Sequence, residues 1–214
     1  MKIEKLKPLA AAAMIVCAAA TAGHTATLTN ADFETRDFSG WAISSVNEGV
    51  STISEVQDFE VTDGVESYAA AFMVGRKDFA TGPGGLILSQ DFEVRRAGVY
   101  TFGLDAAVLG FGRYTNLDGG LIELLIDGVV VDDFDSGQIL SAQTIRSRLM
   151  GSSFLAEGTS VFAIRMTRRY GISGTSPIQF IDNASISSAV VPLPAGLPLM
   201  LLPLAALMVL RRRC

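Results

Sequence analysis

Short apolar or alternating segments, separated by glycine, aspartate and asparagine, run through the middle of this 214-residue sequence. Apolar and polar residues alternate in WAISSV (41–46), VSTISEV (50–56) and LILSQDFEV (86–94), as is typical of strands with one buried face. ESYAAAFMV (66–74) and IQFIDNASI (178–186) are more apolar segments of strand length. No amphipathic helical stretch of convincing length interrupts the series. The pattern predicts about eight to ten strands in an all-β, antiparallel β-sandwich.

Two turns indicate where the chain folds back on itself. Asp127 and Gly128 separate LIELLI from VVVDDF, and an Asp-Gly pair suits a two-residue hairpin turn with positive φ. Asn47, Glu48 and Gly49 separate the first two alternating segments. We therefore expect a hairpin at Asp127-Gly128 and a turn at Asn47-Glu48-Gly49.

The first 26 residues have the pattern of a secretory signal peptide. A lysine-rich start, MKIEKLK, precedes the apolar stretch from Leu9 to Ala22, which is shorter than the ~20 residues of a membrane-spanning helix. Small residues indicate cleavage after Ala22 or Ala26. The alternatives are a buried N-terminal helix and a lipoprotein signal at Cys17, which the bulky Val16 disfavours.

An uncharged apolar segment lies near the other end of the sequence, after a short spacer at residues 187–190. It runs from Val190 to Leu210, 21 residues that suffice to cross roughly 30 Å of hydrocarbon as a transmembrane helix. Arg211, Arg212 and Arg213 come directly after it and oppose translocation, so we expect the tail to end in the cytoplasm and the body to lie outside.

The tail at residues 191–214 resembles a known class of sorting signal. Its motif is VPLPA, formed by Val191, Pro192, Leu193, Pro194 and Ala195, and the apolar block and arginine cluster come after it in order. This combination resembles the PEP-CTERM sorting tails in their VPLPA variant. The resemblance implies that an exosortase-type membrane enzyme removes the tail and delivers the protein from the inner membrane to the cell surface or extracellular matrix. An ordinary membrane anchor is the alternative.

Composition excludes several kinds of chemistry for the body between these end segments. The body carries 11 basic and 21 acidic residues, about −10 in net charge, whereas nucleic-acid binding requires basic patches. Cys17 and Cys214 both lie in the end segments, so no disulfide is expected. His24, the single histidine, lies beside the cleavage sites, which argues against His-based catalytic triads and His-ligated zinc. We expect a non-catalytic protein, with a glycan hydrolase built on two carboxylates as the less favoured alternative.

The start of the body, LTNADFETRDFSGW (28–41), resembles the opening of carbohydrate-binding-module-like jelly rolls. It departs from that pattern at Ala31 and Arg36, where glycines are usual. The resemblance implies a jelly-roll β-sandwich over residues 27–186. It also implies a structural calcium ion with Glu34 and Asp182 as ligands, and calcium does prefer six to eight oxygen atoms. In the alternative, both residues are solvated or turn-capping acids.

Candidate ligand-binding residues are few. A sugar site combines exposed aromatic rings with polar partners, and Tyr114, in a glycine-rich loop, is the best exposed ring. The segment RMTRRYGISG holds Arg168, Arg169 and Tyr170, whose guanidinium groups suit the carboxylates of an acidic polysaccharide; a solvated strand end is the alternative. The sequence thus predicts an exported, sorted, non-catalytic protein, or alternatively a carbohydrate-binding adhesin or matrix module.

Overall fold

The computed structural model describes residues 26–77 and 82–188, and this part of the chain contains ten strands. They are β1 (Ala42–Val46), β2 (Gly49–Asp58), β3 (Tyr68–Arg76), β4 (Gly84–Val94), β5 (Gly98–Leu109), β6 (Leu121–Ile126), β7 (Val129–Asp135), β8 (Thr144–Leu155), β9 (Gly158–Arg168) and β10 (Ile178–Ser188). Within the two described ranges no helix is long and apolar enough to span a membrane.

Two five-stranded antiparallel sheets form the body. Sheet A has the order β1-β4-β9-β6-β7, and sheet B has the order β2-β3-β10-β5-β8. Strand β3 pairs with β10, β4 with β9, β5 with β8 and β6 with β7. The chain is therefore a set of nested strand pairs that fall alternately in the two sheets, which is the jelly-roll arrangement. The predicted all-β antiparallel sandwich is confirmed.

Alternate residues of each strand fill the space between the sheets. On β5 the inward residues include Tyr100, Phe102 and Leu104, and on β9 they include Phe162 and Ile164, all of them buried. Rings of facing strands meet edge to face or tilted, with Phe102 and Phe162 centroids 6.3 Å apart. Removing one such buried ring costs about 3–5 kcal/mol, so these phenyl rings hold the two sheets together.

The N-terminal segment at residues 26–41 closes one side of this core. Phe33 is buried and stacks on Trp41 with centroids 5.7 Å apart. The Trp41 indole Nε1 donates a hydrogen bond to the Asn30 carbonyl at 3.0 Å. Trp41 is thus buried in the core. The backbone N–H of Ala184 in β10 donates to the Ala31 carbonyl at 2.9 Å, which holds the segment close to sheet B.

A second apolar layer covers part of the outer face of sheet B. The loop after β2, residues 59–67, lies across this face, and we call it the covering loop. Its Phe59 ring stacks on Phe180 of β10, with centroids 3.6 Å apart and planes 5° apart. Val61 is buried beside Ala71 and Ala107 in the same cluster. Roughly the half of this face nearest the covering loop is therefore closed to solvent.

The expected hairpin occurs at Asp127 and Gly128, which both have positive φ, 50° and 79°, between the paired strands β6 and β7. Asn47 and Glu48 also have positive φ, 49° and 55°, but this turn carries the chain from β1 in sheet A to β2 in sheet B and forms no hairpin. Strand β10 reaches Ser188, so it includes two residues of the expected spacer. Apart from Ala26, which is buried in the core, the predicted signal peptide lies outside the described residues, as do the VPLPA motif, the transmembrane segment and the arginine cluster.

Candidate binding sites

Glu34 and Asp182, the predicted calcium ligands, lie close to each other at the start of β3. The Ser67 hydroxyl donates to Asp182 Oδ2 at 2.8 Å, and the next residue, Tyr68, donates its backbone N–H to Glu34 Oε1 at 3.0 Å. Two consecutive residues therefore connect the N-terminal segment to the last strand. The structure therefore places the two predicted calcium ligands beside consecutive residues of the chain.

A third carboxylate faces Asp182 across the sheet. Asp105 of β5 is the direct antiparallel partner of Asp182, and Arg148 of β8 is the partner of Asp105 on the other side. Like charges in directly opposed positions destabilise a sheet. Here the Arg148 guanidinium ion-pairs with Asp105, and Thr62 and Asn183 donate to Asp105 Oδ2 at 2.9 and 3.1 Å. The negative charge of Asp105 is thus compensated by Arg148.

Asp182 has no such cation beside it in the described part of the chain. Its side chain is fully buried, and burial is the main reason why its pKa rises from 3.8 to about 6. The charges of Asp105 and Glu34 raise the pKa further, while hydrogen bonds from Ser67 and Asn183 lower it. A buried carboxylate facing two others is a group that a bound cation would stabilise.

The residues around Asp182 offer the type of ligand that calcium prefers, carboxylate oxygens, but fewer of them than calcium takes. Calcium takes six to eight oxygen ligands, and this cluster offers the carboxylates of Glu34 and Asp182. Both Asp182 oxygens already accept hydrogen bonds, from Ser67, the Asn183 amide and the Asn183 backbone. Across residues 26–77 and 82–188, no group of three Asp, Glu, His or Cys side chains is placed to hold a metal ion. Structural calcium therefore stays a prediction.

The half of the outer face of sheet B that the covering loop leaves open contains a groove. Its polar end is a cavity of about 570 Å³, whose lining includes Asn30, Asp32, Asp105, Arg148, Asn183 and Ser185. Gly103 lies directly against two of the lining side chains, because a Cβ there would lie 2.7 Å from the Ser185 hydroxyl and 3.1 Å from an Arg148 nitrogen. The cavity therefore presents donors and acceptors side by side.

Beyond this cavity, the same face of sheet B carries a strip of apolar side chains along β5 and β8. Regular pairing places Gly103 beside Met150 and Val99 beside Phe154, on the same face as the Asp105–Arg148 pair. All three apolar residues of this strip are exposed, and Phe154 is 69% exposed. Thr101 and Ser152 lie between them. We call the polar cavity together with Val99, Met150 and Phe154 the face groove.

A second cavity, of about 270 Å³, lies near the far end of the sandwich, where β9 ends and β4 begins. It is lined by Pro83, Leu117, Asp118, Leu121, Asp135, Gly137, Thr167, Arg168, Arg169 and Tyr170, and we call it the loop-end pocket. The Asp118 carboxylate accepts the backbone N–H groups of Gly120 and Arg169 at 2.9 and 2.7 Å. These bonds fix the loop before β6 against the end of β9.

The structure brings together three of the four predicted ligand-binding residues. Arg168, Arg169 and Tyr170 all line the loop-end pocket, whereas Tyr114 is 72% exposed and does not contribute to its lining. Arg168 itself is only 3% exposed, so it is a buried wall of the pocket rather than a solvated strand end.

Sequence reasoning did not select the other residues of either site. Asp118 and Leu117 join the pocket from a loop some 50 positions before Arg168, and Phe154 belongs to a strand that the sequence pattern does not mark. The Asp118-Gly119-Gly120 turn was the only local signal, and it indicates a loop without indicating what the loop contacts.

No protein-family model matches this chain, and no curated protein matches it. Among solved structures, the chain is similar to the carbohydrate-binding module TmCBM61 in complex with β-1,4-galactotriose, at 17% identity over 75% of this chain and 97% of that one, with a TM-score of 0.45. It is also similar to a CBM4 structure, at 14% identity over 76% and 99%, with a TM-score of 0.37. A cyclase from Fischerella sp. TAU is similar at 13% identity over 75% and 95%, with a TM-score of 0.44. None of the three decides what this chain binds or whether it is catalytic.

Proposed function

We propose that the body is a non-catalytic carbohydrate-binding module whose ligand is a run of linked sugars lying in the face groove. The observation that carries the proposal is the presence of an exposed phenyl ring and a polar cavity on one open sheet face. Sugars have apolar ring faces and polar edges, so a site for them needs both kinds of surface.

The face groove has apolar contacts at one end and hydrogen-bonding groups at the other, so an extended ligand can use both. Phe154, with Val99 and Met150 beside it, provides a platform on which a sugar ring stacks. At the other end, Arg148, Asn183 and Asn30 line the cavity as donors to the hydroxyl groups of the ligand, and Asp105 and Asp32 line it as acceptors. Arg148 and Phe154 are six positions apart on β8, about 20 Å along a strand. That length suits an oligosaccharide better than one sugar.

Binding of neutral oligosaccharides of increasing length tests this function. The full chain, kept in solution with a mild non-ionic detergent because of its apolar end segments, is titrated with each oligosaccharide by calorimetry. We expect affinity to rise with length until the groove is filled, and the Phe154→Ala variant to bind about tenfold more weakly, since stacking on an exposed ring contributes roughly 1 kcal/mol or more.

Phe111→Ala is the matched control, because Phe111 is an exposed phenylalanine that lies outside the face groove. Equal losses in the two variants, or no binding of any oligosaccharide by the unmodified chain, would refute the proposal. Product analysis of the same mixtures tests the non-catalytic part of it: release of shorter sugars would show an enzyme instead.

The two end segments of the chain suggest that this binding takes place outside the cell. The signal-like first 26 residues and the VPLPA tail support export, and after it sorting to the cell surface or extracellular matrix. A binding module displayed there would hold matrix polysaccharide.

A further inference from the structure

We propose that the loop-end pocket is a second, separate binding site, which takes one carboxylated sugar, a hexuronic acid residue. It lies toward the opposite end of the sandwich from the face groove and shares no lining residue with it. The proposal does not depend on the face groove binding anything.

The first argument is the charge of Arg168. Its guanidinium is buried, and its hydrogen bonds go to two neutral carbonyls: Nε donates to Asp118 O at 3.0 Å and Nη1 to Val74 O at 3.3 Å. Burial lowers the pKa of Arg168, and the nearby charge of Asp118 opposes that shift only in part. A buried cation that lines a cavity and bonds to carbonyls is stabilised further by an anion entering that cavity.

The second argument is the balance of free donors and acceptors. Both Asp118 oxygens accept backbone N–H groups, and Asp135 Oδ1 accepts the Gly137 N–H at 2.9 Å. The exposed Arg169 guanidinium has no hydrogen-bond or ion-pair partner among residues 26–77 and 82–188. The hydrogen-bonding groups that the pocket leaves free for a ligand are therefore mainly donors, so the ligand should carry mainly acceptors. A carboxylate facing a guanidinium fork meets this need with two parallel bonds.

The third argument is size and shape. At about 270 Å³ the pocket is smaller than the roughly 300 Å³ at which sites for drug-sized ligands begin. The exposed side chains of Tyr170 and Leu117 flank it and offer an apolar surface to a ring. A single sugar ring with its carboxylate toward Arg168 and Arg169 uses all of these features. An acidic peptide would supply the carboxylate but no ring for Tyr170, so we favour the sugar.

The net negative charge of the body repels an anionic ligand that approaches this pocket. At physiological ionic strength, charges more than about 8 Å away are largely screened, so the two local arginines decide the interaction more than the total charge does. Binding should consequently weaken with added salt, but not disappear, because Arg168 is shielded from solvent.

The test compares oligogalacturonate with the same oligomer after full methyl esterification, which removes the charge and keeps the ring. We expect the full chain to bind the free acid at least tenfold more tightly. Arg169→Gln should remove most of that difference. Arg96→Gln is the matched control, since it deletes the same charge from the exposed turn between β4 and β5, at the other end of the sandwich.

Three results would overturn the proposal: equal binding of acid and ester, equal losses in the two arginine variants, or tighter binding of an acidic peptide than of oligogalacturonate. The two proposals fail separately. Binding of oligogalacturonate without any binding of neutral oligosaccharides would support the loop-end pocket and refute the face groove as a binding site. Binding of neutral oligosaccharides without a preference for the free acid would support the face groove and refute the loop-end pocket.

Discussion

At the scale of single residues, Asp182 is the most unusual group of the body. It is a fully buried carboxylate, directly opposite Asp105 and close to Glu34. The resemblance of the opening motif predicted that Asp182 and Glu34 meet. It did not predict Asp105 or the pairing with Arg148, because both depend on the register of β5 against β8 and β10.

The raised pKa of Asp182 predicts how stability depends on pH in metal-free protein. The folded-state pKa is about 6 against an ordinary 3.8, so the protonated form is favoured by folding. Its contribution is complete below about pH 4 and is lost as the pH rises through 6, a loss on the order of 3 kcal/mol. Urea unfolding in the presence of a chelator should show this loss, and Asp182→Asn should remove it. Asp91→Asn, at an exposed position of sheet A, is the control and should retain the wild-type pH profile.

Calcium gives a separate prediction for the same residues. If Glu34 and Asp182 bind the ion, calcium should raise the melting temperature of the chelated protein at pH 7, since a ligand that binds only the folded state stabilises it by mass action. Asp182→Asn should abolish that increase. An identical melting curve with and without chelator, after removal of metal has been verified, would show that the cluster holds no structural ion.

Arg36 is one of the two positions at which the opening motif departs from the pattern that it resembles. Its φ is +64°, in the left-handed region where glycine costs least, and glycine is the usual residue there in the resembling pattern. The Arg36 guanidinium lies 4.2 Å from the centre of the Tyr68 ring, a contact that offsets part of the strain. Arg36 therefore occupies a backbone conformation that glycine adopts more easily.

At the scale of elements, the covering loop determines how much of sheet B is accessible. Its Phe59 is half-buried against Phe180, and its Thr62 hydroxyl donates to Asp105. Phe59→Ala should lower the free energy of unfolding by about 2 kcal/mol, because it removes a stacked ring and exposes apolar surface beneath it. Chemical denaturation measures the change. Phe154→Ala, which removes a solvent-exposed ring, should alter stability by less than about 0.5 kcal/mol; a comparable loss there would contradict the burial of Phe59 as the cause.

Strands with one buried face and a marked turn were predictable, and an exposed edge strand was not. Asp127-Gly128 carries its turn chemistry in the sequence, so the hairpin of β6 and β7 is predicted correctly. Strand β8 has the sequence TIRSRLMGSSFL and was not predicted. It is an edge strand of sheet B with Leu149 and Leu155 as its fully buried side chains, so its apolar signal is weak. The sequence pattern therefore does not indicate the face groove, because Phe154 lies on β8.

At the scale of the whole molecule, the jelly-roll nesting explains why the two candidate sites lie apart. The loops between paired strands gather at the ends of the sandwich, where they form the loop-end pocket, while the face groove occupies an open part of a sheet. Residues far apart in sequence meet in both, such as Asp118 with Arg168 and Asn30 with Asn183. Sequence periodicity carries no information on such encounters, so only the local Arg168–Tyr170 cluster could be proposed in advance.

The final prediction concerns the route by which this body reaches its place of action. If the VPLPA tail is a sorting signal, protein recovered from the surface of its own host should end near Val191–Ala195, because the processing enzyme removes the apolar block and the arginine cluster. Proline disfavours a helix and favours extended backbone in the residue before it, so on this hypothesis replacing Pro192 and Pro194 with alanine should leave the full-length chain in the inner membrane. Pro198→Ala, inside the apolar block, is the control and should still be processed. Mass spectrometry of each fraction distinguishes the outcomes: an intact tail on unmodified surface protein would identify a plain anchor.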